Sequence, residues 1–441
     1  MSFRVGIDGY NLAMTRGTGV ATYGRTLARA VREAGHPVDL LFGLEVSHKA
    51  REDLRESLFY ARLSEGDPAG QKLKMTVRRA LMRAFQPPFA RDMVPIPVSG
   101  RVVATEFQGK LPEFDRLFSL GSLFTKSVRH FRRYKKFMTV RVPDPPKVMH
   151  WTYPVPVRLE GAANIYTIHD LVPLRLPHTS LEDKRYYDAL IGACVAEAAA
   201  ICTVSEASRR DILELFPTDP EKVVNTWQPV DIADAPQEDA AALRRRLGRL
   251  FDLEPQGYFL FFGAIEPKKN VGRLIEAYLS ADIETPLVIV GAGGWKSEEA
   301  LRLLGTAHGK TLSASARVRV VDYLPRGLLI ELIRGARAVT FPSLYEGFGL
   351  PALEALALGA PLLTSNTSSL PEVVGDAALM VDPYDVAAIA EGLRRLDGDS
   401  ALRAELAARG PKQAGNFSAA RYGHAIETLY RAGLARAGIR D

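Results

Sequence analysis

The sequence predicts an α/β protein built as two doubly wound domains facing a central cleft, and three observations lead there. The chain has 441 residues, well beyond the roughly 150 of an average domain, so two or three units are expected. Its apolar runs are short and alternate with stretches of helical periodicity, which is the rhythm of βαβ units. Those runs are apolar almost throughout, as strands are when helices cover both faces of a parallel sheet. With 47% hydrophobic and 24% charged residues, the chain can bury sizeable cores, which excludes an intrinsically disordered protein.

The first unit is expected over residues 1–235. It opens on the apolar run Arg4-Val5-Gly6-Ile7-Asp8, followed by the glycine-containing turn Arg16-Gly17-Thr18-Gly19-Val20. A helical pattern then places Ala21, Leu27, Ala28 and Val31 on one face, and strand, glycine turn and helix together open a βαβ unit. Val38–Phe42 fits the next strand. From about 60 to 145 the rhythm breaks at Pro87-Pro88 and several charged runs, which reads as a basic insertion. It resumes at Asn164–Ile168, which ends in His169-Asp170. A helix from about Asp183 to Ala199 follows, then a strand at Ile201–Val204.

An acidic, proline-containing stretch near Asp231–Asp239 reads as a linker. The second unit, over 250–418, has strand candidates at Tyr258–Phe262, Leu287–Val290, Val318–Val321, Ala338–Phe341 and Pro361–Thr364. A last helical segment runs from about Ala419 to Ala437, within 419–441. Ligands are expected at strand C-terminal ends and in the cleft between the units.

Cys194 and Cys202 are the only cysteines, which excludes a disulfide scaffold and a four-thiolate zinc site. Both lie in apolar sequence and read as buried thiols in a reducing compartment. No run approaches the roughly 18 to 20 apolar residues of a membrane span. The N-terminus lacks a signal-peptide pattern, so a cytoplasmic location is expected. The net charge of +6 is unevenly spread. Gln71–Arg141 holds sixteen basic and four acidic residues, a local +12 that leaves −6 for the remainder and points to a patch with a partner.

The most informative stretch is Phe341–Glu354, which runs from a buried strand through a glycine turn into a helix opened by Pro351. Proline suits a first helical turn. Such a junction exposes backbone N–H groups beside a helix N-terminus, a ready anion site. Glu346 and Glu354 bracket it. A carboxylate accepts two hydroxyl hydrogen bonds at once and so suits vicinal sugar hydroxyls. By spacing alone, a capping Glu346 and a solvated Glu354 are the favoured reading.

With seven residues between them, Glu346 and Glu354 reproduce the E-x7-E motif, and here the sequence resembles the retaining GT-B glycosyltransferases of family 4. Pro342–Pro351, Thr364–Ala378, Gly263–Asn270 and Thr203–Ser208 are similar to its bacterial mannosyltransferase-like branch. The resemblance covers nearly the whole C-terminal half and roughly residues 148–230. It implies a GT-B fold whose C-terminal helix crosses back onto the first domain, with the donor bound by the second domain and the acceptor by the first.

The resemblance also implies residue roles. Glu346 would hold hydroxyls of the donor sugar, beside the backbone amides of Phe348, Gly349 and Leu350. Glu354 would bind the ribose of the nucleotide. Lys268 and Lys269 would face the diphosphate, where a fixed cation stabilises the leaving group. Many relatives carry arginine at the position of Lys268, and others carry one where this chain has Ala264. The chain thus presents one guanidinium fork fewer. His169 matches the family's active-site histidine, although a lone histidine is more often structural. Gly17 and Gly19 match a loop approaching the diphosphate and acceptor, with a plain βα turn as the alternative.

The implied reaction moves a sugar, mannose from GDP-mannose by branch, onto a hydroxyl of a lipid-linked glycan in bacterial surface polysaccharide synthesis. No metal and no cofactor is expected. A nucleotide-sugar epimerase or hydrolase, or a non-catalytic sugar-nucleotide scaffold, are the other readings. In the basic segment, Leu123, Phe124, Val128, Phe131, Tyr134, Phe137 and Met138 recur at helical spacing among cations. A basic amphipathic helix suits an anionic membrane surface, so the expected location is the inner face of the plasma membrane. A solvated helix packed on its own domain is the alternative, and no nucleic-acid motif accompanies the charge.

Overall fold

The computed structural model describes residues 2–14, 19–65, 90–100, 102, 107, 111–230, 239–294, 296–304 and 317–440. The proposed linker at 231–238 lies outside them. So do Gly17 and the part of the basic segment at 71–89.

Strands β1 (Val5–Asp8), β2 (Val38–Phe42), β3 (Arg91–Asp92), β4 (Val94–Ile96), β5 (Arg116–Ser119) and β6 (Met138–Arg141) come first. They are followed by β7 (Val148–Trp151), β8 (Val157–Leu159), β9 (Ala163–Ile168), β10 (Ala200–Thr203) and β11 (Val223–Asn225). Eight of these form one sheet in the order β11-β10-β9-β7-β1-β2-β5-β4. It is parallel except where β4 runs antiparallel to β5. β3, β6 and β8 form a small separate sheet.

The second unit contributes β12 (Phe259–Phe262), β13 (Leu287–Val290), β14 (Val318–Val321), β15 (Ala338–Phe341), β16 (Leu362–Ser365) and β17 (Leu379–Val381). They form a parallel sheet in the order β14-β13-β12-β15-β16-β17. All four residues of β12, β13, β15 and β16 are buried, because helices cover both faces.

The strand orders decide where a ligand can sit. The chain leaves β1 for β2 on one side and later returns to β7 on the other, so the order reverses between β1 and β7. In the second sheet it reverses between β12 and β15. At such switch points the outgoing loops diverge and open a crevice at the strand C-terminal ends. The loops after β7 and β9 in one sheet, and after β12 and β15 in the other, carry the candidate site.

The helix Ala419–Ala437 begins at Ser418, whose hydroxyl accepts from the Arg421 N–H, and ends at Gly438 with φ of 66°. It packs on the helix Gly19–Glu33 and on β9 and β10 of the first sheet. Tyr422, Ile426, Leu429, Tyr430 and Leu434 are buried there. Gly433 lets the helix approach closely, since a Cβ at that position would lie 3.0 Å from Ile165 Cδ1.

Two sequence expectations are corrected. The span 60–145 is not an insertion as a whole, because β5 extends the main sheet with Leu40 opposite Leu117 and Leu41 opposite Phe118. Its charge concealed it. Arg116 makes a bidentate ion pair with the fully buried Asp39, at 3.0 and 2.6 Å, so the charge serves the fold rather than the surface.

The amphipathic helix is the second correction. It covers Leu123–Tyr134, with Leu123, Phe124, Ser127 and Phe131 buried. The Phe124 ring packs 4.6 Å from Tyr10 and the Phe131 ring 5.9 Å from Phe137. Lys135, at φ of 54°, ends the helix before Phe137 and Met138, which face the core of the same domain. Most of the apolar stripe is therefore consumed by the protein's own interior, with Val128 half-buried and Tyr134 exposed. Arg129, Arg132, Arg133, Lys135 and Lys136 stay on the exposed face. Among the described residues, no helix is long and apolar enough to cross a membrane. Cys194 and Cys202 are both buried and unpaired in a disulfide, and burial pushes both thiols up.

Candidate active site

From the first domain, β9 delivers His169 to its C-terminal end. The ring's Nε2 lies 2.9 Å from the Thr152 carbonyl oxygen. A carbonyl only accepts, so Nε2 carries the hydrogen and Nδ1 is left as the acceptor. The ring stands edge-on to Tyr23 at 4.8 Å. Burial lowers its pKa, with the Thr152 hydrogen bond and Asp170 acting in the other direction, so the imidazole is neutral near pH 7. Thr152 is itself held by Asp8 at the end of β1, whose buried carboxylate accepts from the Thr152 and Tyr10 N–H groups. Asp170 accepts from the Val172 N–H at 3.1 Å.

From the second domain, the loop after β12 carries two lysines on the short turn Pro267–Lys269. Asn270 fixes that turn. It adopts φ of 61° and donates from Nδ2 to the carbonyls of Pro342 and Pro383 at 3.0 and 2.7 Å. Lys268 points across the cleft to within 3.9 Å of Asp170 in the first domain. Burial disfavours its charge, but Asp170, Glu346 and Glu266 together outweigh it and raise its pKa. Lys269 lies deeper, 2.6 Å from Glu346 Oε1 and 4.7 Å from the Phe341 ring centre.

The loop after β15 carries Glu346. Its N–H donates to Ser368 Oγ at 2.9 Å, and Ser369 Oγ lies 3.0 and 2.8 Å from the carbonyls of Glu346 and Phe348. Gly347 is obligatory by space, because a Cβ would lie 2.5 Å from the His169 carbonyl oxygen. Gly349, at φ of 102°, precedes the helix Leu350–Ala357. The Phe348 side chain turns into the core against Phe417 at 5.5 Å, so only its backbone can meet a ligand. Glu354 lies further along the helix, mostly buried, with Arg326 Nη1 3.3 Å from its Oε1. Burial raises the Glu354 pKa, and Arg326 opposes that rise.

The two sides meet around a cavity of about 340 Å³ lined by His169, Asp170, Lys268, Tyr153, Leu181 and Tyr187 among others. Val20 also lines it, which places Gly19, the first residue of the helix Gly19–Glu33, beside the cleft. Ser208 Oγ lies 2.8 Å from the His169 carbonyl and 3.3 Å from that of Gly347, so one hydroxyl bridges both domains.

The sequence did not single out Asp8, Thr152, Ser208, Glu372 or the walls Tyr153 and Leu181. Ser205 followed by Ser208 carries a helix-start signal. Glu372 falls within the block Thr364–Ala378 with no role assigned to it, and Asp8, Thr152, Tyr153 and Leu181 are brought in by the tertiary structure. Among the described residues, no group of three His, Cys, Asp or Glu side chains could hold a metal ion.

Two facing doubly wound domains, with a carboxylate and two lysines at one switch point and a histidine at the other, define the glycosyltransferase class of GT-B fold. The family profile described as glycosyl transferases group 1 matches residues 250–413, and that of the glycosyl transferase 4-like domain matches 18–226. O-antigen chain mannosyltransferase B of Escherichia coli is 36% identical over 271 residues, 60% of this chain and 68% of that protein. The serotype-specific mannosyltransferase WbdA of Escherichia coli is 32% identical over 291 residues, where the match spans 64% of this chain but only 35% of that longer protein. Sucrose-phosphate synthase from Thermosynechococcus elongatus superposes with a TM-score of 0.64 over 98% of this chain and 99% of its own, at 16% identity. The chain belongs to the group 1 glycosyltransferases, with a glycosyltransferase 4-like first domain.

Proposed function

We propose that this protein transfers mannose from GDP-mannose to a hydroxyl of a lipid-linked glycan, with retention at the anomeric carbon and without a metal ion, in bacterial surface polysaccharide assembly. The observation that carries the reading is the convergence of His169 and Lys268 from opposite domains on one cavity, beside the pair of Lys269 and Glu346. The similarity to O-antigen chain mannosyltransferase B supports mannose as the donor sugar and a glycan as the acceptor.

In this reading the donor lies along the second domain, with its ribose at Glu354 and its diphosphate at the N-terminus of the helix Leu350–Ala357 and the two lysines. Glu346 holds sugar hydroxyls. The neutral His169 accepts a hydrogen bond at Nδ1 from a hydroxyl of donor or acceptor. The acceptor glycan fills the cavity against Tyr153 and Leu181.

The bond from the anomeric carbon to the phosphate oxygen breaks, and its electron pair goes to the diphosphate, where Lys268 and Lys269 offset the charge. The acceptor oxygen bonds to the same face of the anomeric carbon, and its proton passes to the departing phosphate oxygen. A double displacement would need a carboxylate free to attack. Glu346 is engaged by Lys269, and Asp170 caps Val172 and faces Lys268, so the front-face route fits better. The reading places the enzyme in the cytoplasm, on the inner face of the plasma membrane, and any contact there through the basic face of Leu123–Tyr134 is electrostatic.

The test is a transfer assay with GDP-α-mannose and a mannose-terminated lipid-linked oligosaccharide in the presence of EDTA, with the product's anomeric configuration read by NMR. An α-linked product from the wild type, sharply reduced in Glu346→Gln, is expected. A β-linked product sinks retention, dependence on added metal sinks metal independence, and turnover of a UDP-sugar instead sinks the donor.

A further inference from the structure

We infer that Glu372, a second-domain residue remote in sequence from both halves of the site, is a positioning residue that registers Glu346 against His169. The helix Glu206–Leu215 of the first domain begins with N–H groups that have no partner within the helix. Ser205 caps the Ser208 N–H at 3.0 Å. The Glu206 and Ala207 N–H groups instead donate to Glu372, at 2.9 Å to each of its two oxygens. Trp227 Nε1, also of the first domain, lies 3.4 Å from Glu372 Oε2. One carboxylate of the donor-side domain is thus seated in three N–H donors of the other domain, at the positive end of a helix.

Both ends of this connection reach the site through short rigid links. On the first-domain side, the same helix start holds Ser208, whose hydroxyl bridges the carbonyls of His169 and Gly347. On the second-domain side, Glu372 follows Ser368 and Ser369, which hold the backbone of Glu346 and Phe348. Residues 368–372 therefore act as a bracket, gripping the Glu346 loop with one end and the His169 side of the cleft with the other. Tyr345 adds a hydrogen bond from its hydroxyl to Asp211 on that helix. Shifting the Glu372 seat must shift the spacing between Glu346 and His169, while leaving the donor contacts within the second domain intact.

The kinetic arm of the test rests on the mannosyl-transfer reading, whereas the distance arm does not. Cys194 and Cys202 are buried, so spin labels can be directed to Lys136→Cys and Glu284→Cys, exposed positions in the two domains. Interdomain distances are measured in this background with and without E372A. Turnover of GDP-mannose and affinity for GDP are measured with E372A, E372D and E372A plus sodium formate. E372A should broaden and lengthen the distance distribution and lower kcat on the order of 100-fold, as a 1 Å misplacement can. GDP affinity should be unchanged, and E372D or formate should restore part of kcat. A distance distribution identical to wild type overturns the inference whatever kcat does. Loss of kcat together with GDP affinity, unrelieved by formate, also overturns it, since that marks general damage. If the wild type does not turn over GDP-mannose, the donor assignment falls and the distances alone decide. Should E372A fail to fold, E372Q replaces it under the same criteria.

Discussion

Lys269 Nζ lies 2.6 Å from Glu346 Oε1, an ion pair that is nearly buried on both sides and sits where the donor sugar and diphosphate are proposed to meet. Each group serves the other before any ligand arrives. The lysine fixes one carboxylate oxygen and leaves the second for hydroxyls, and the carboxylate holds the lysine head group beside the Phe341 ring. Removing one partner leaves a buried charge uncompensated, which costs more than the pair contributes.

Lys269→Met is therefore expected to lower folding stability by about 3 kcal/mol and to abolish most transfer. The double variant Lys269→Met with Glu346→Gln should be more stable than Lys269→Met alone, because the stranded charge is gone. Urea denaturation of the three proteins checks this, and a double variant less stable than the single would contradict it.

Glu354 tests the nucleotide side independently of the chemistry. Hydrogen bonds to a charged group contribute about 1.5–3 kcal/mol, so Glu354→Ala should weaken GDP binding by roughly 10- to 100-fold. Calorimetric titration reads this directly. Equal affinity in wild type and variant would remove Glu354 from the ribose site.

Asp8 governs a pH dependence. Burial raises its pKa from 3.8 to about 6, with the Thr152 and Tyr10 N–H groups opposing the rise. The folded protein thus holds this proton more tightly than the unfolded chain does. Its contribution to stability is complete below the unfolded pKa and is lost as pH climbs through about 6, by roughly 3 kcal/mol in total. Thermal melts of wild type and Asp8→Asn between pH 4 and 7 should differ in slope, the variant being flatter. Parallel curves would show that the carboxylate does not titrate there. Because Thr152 also orients His169, the variant should lose activity even where it is stable.

The exposed cations of Leu123–Tyr134 and the residues just after it predict weak, salt-sensitive adhesion to anionic vesicles. Each Lys or Arg near such a surface is worth about 1 kcal/mol. Replacing Arg129, Lys135 and Lys136 with glutamate should reduce co-sedimentation with phosphatidylglycerol vesicles at low salt and leave neutral vesicles unaffected. Binding that survives this change must come from elsewhere in the chain.

Much of the second domain was legible residue by residue. Leu287–Val290, Val318–Val321 and Ala338–Phe341 are strands over the spans their apolar runs suggested, and apolar residues dominate the first and last because both of their faces are buried. The junction from β15 to the helix Leu350–Ala357 was equally legible, since glycine and proline there answer local backbone demands. β5 was not, because its Arg116 neutralises Asp39, a residue 77 positions away. The helix Leu123–Tyr134 was recognised as amphipathic, yet periodicity states only that one face is apolar, not whether protein or lipid covers it.

By itself, then, the sequence determined the α/β class and the alternation of elements, which follow from local constraints of period and turn geometry. The roles of Glu346, Glu354, Lys268, Lys269 and His169 were expectations that the family resemblance implied. Only the tertiary structure decided what each group faces. It paired Lys269 with Glu346, turned Lys268 toward Asp170, set the His169 tautomer through Thr152 and seated Glu372 in the opposite domain. These contacts join residues far apart in the chain, and a charge or hydrogen-bond donor carries no mark in its own sequence of the partner that folding will bring to it.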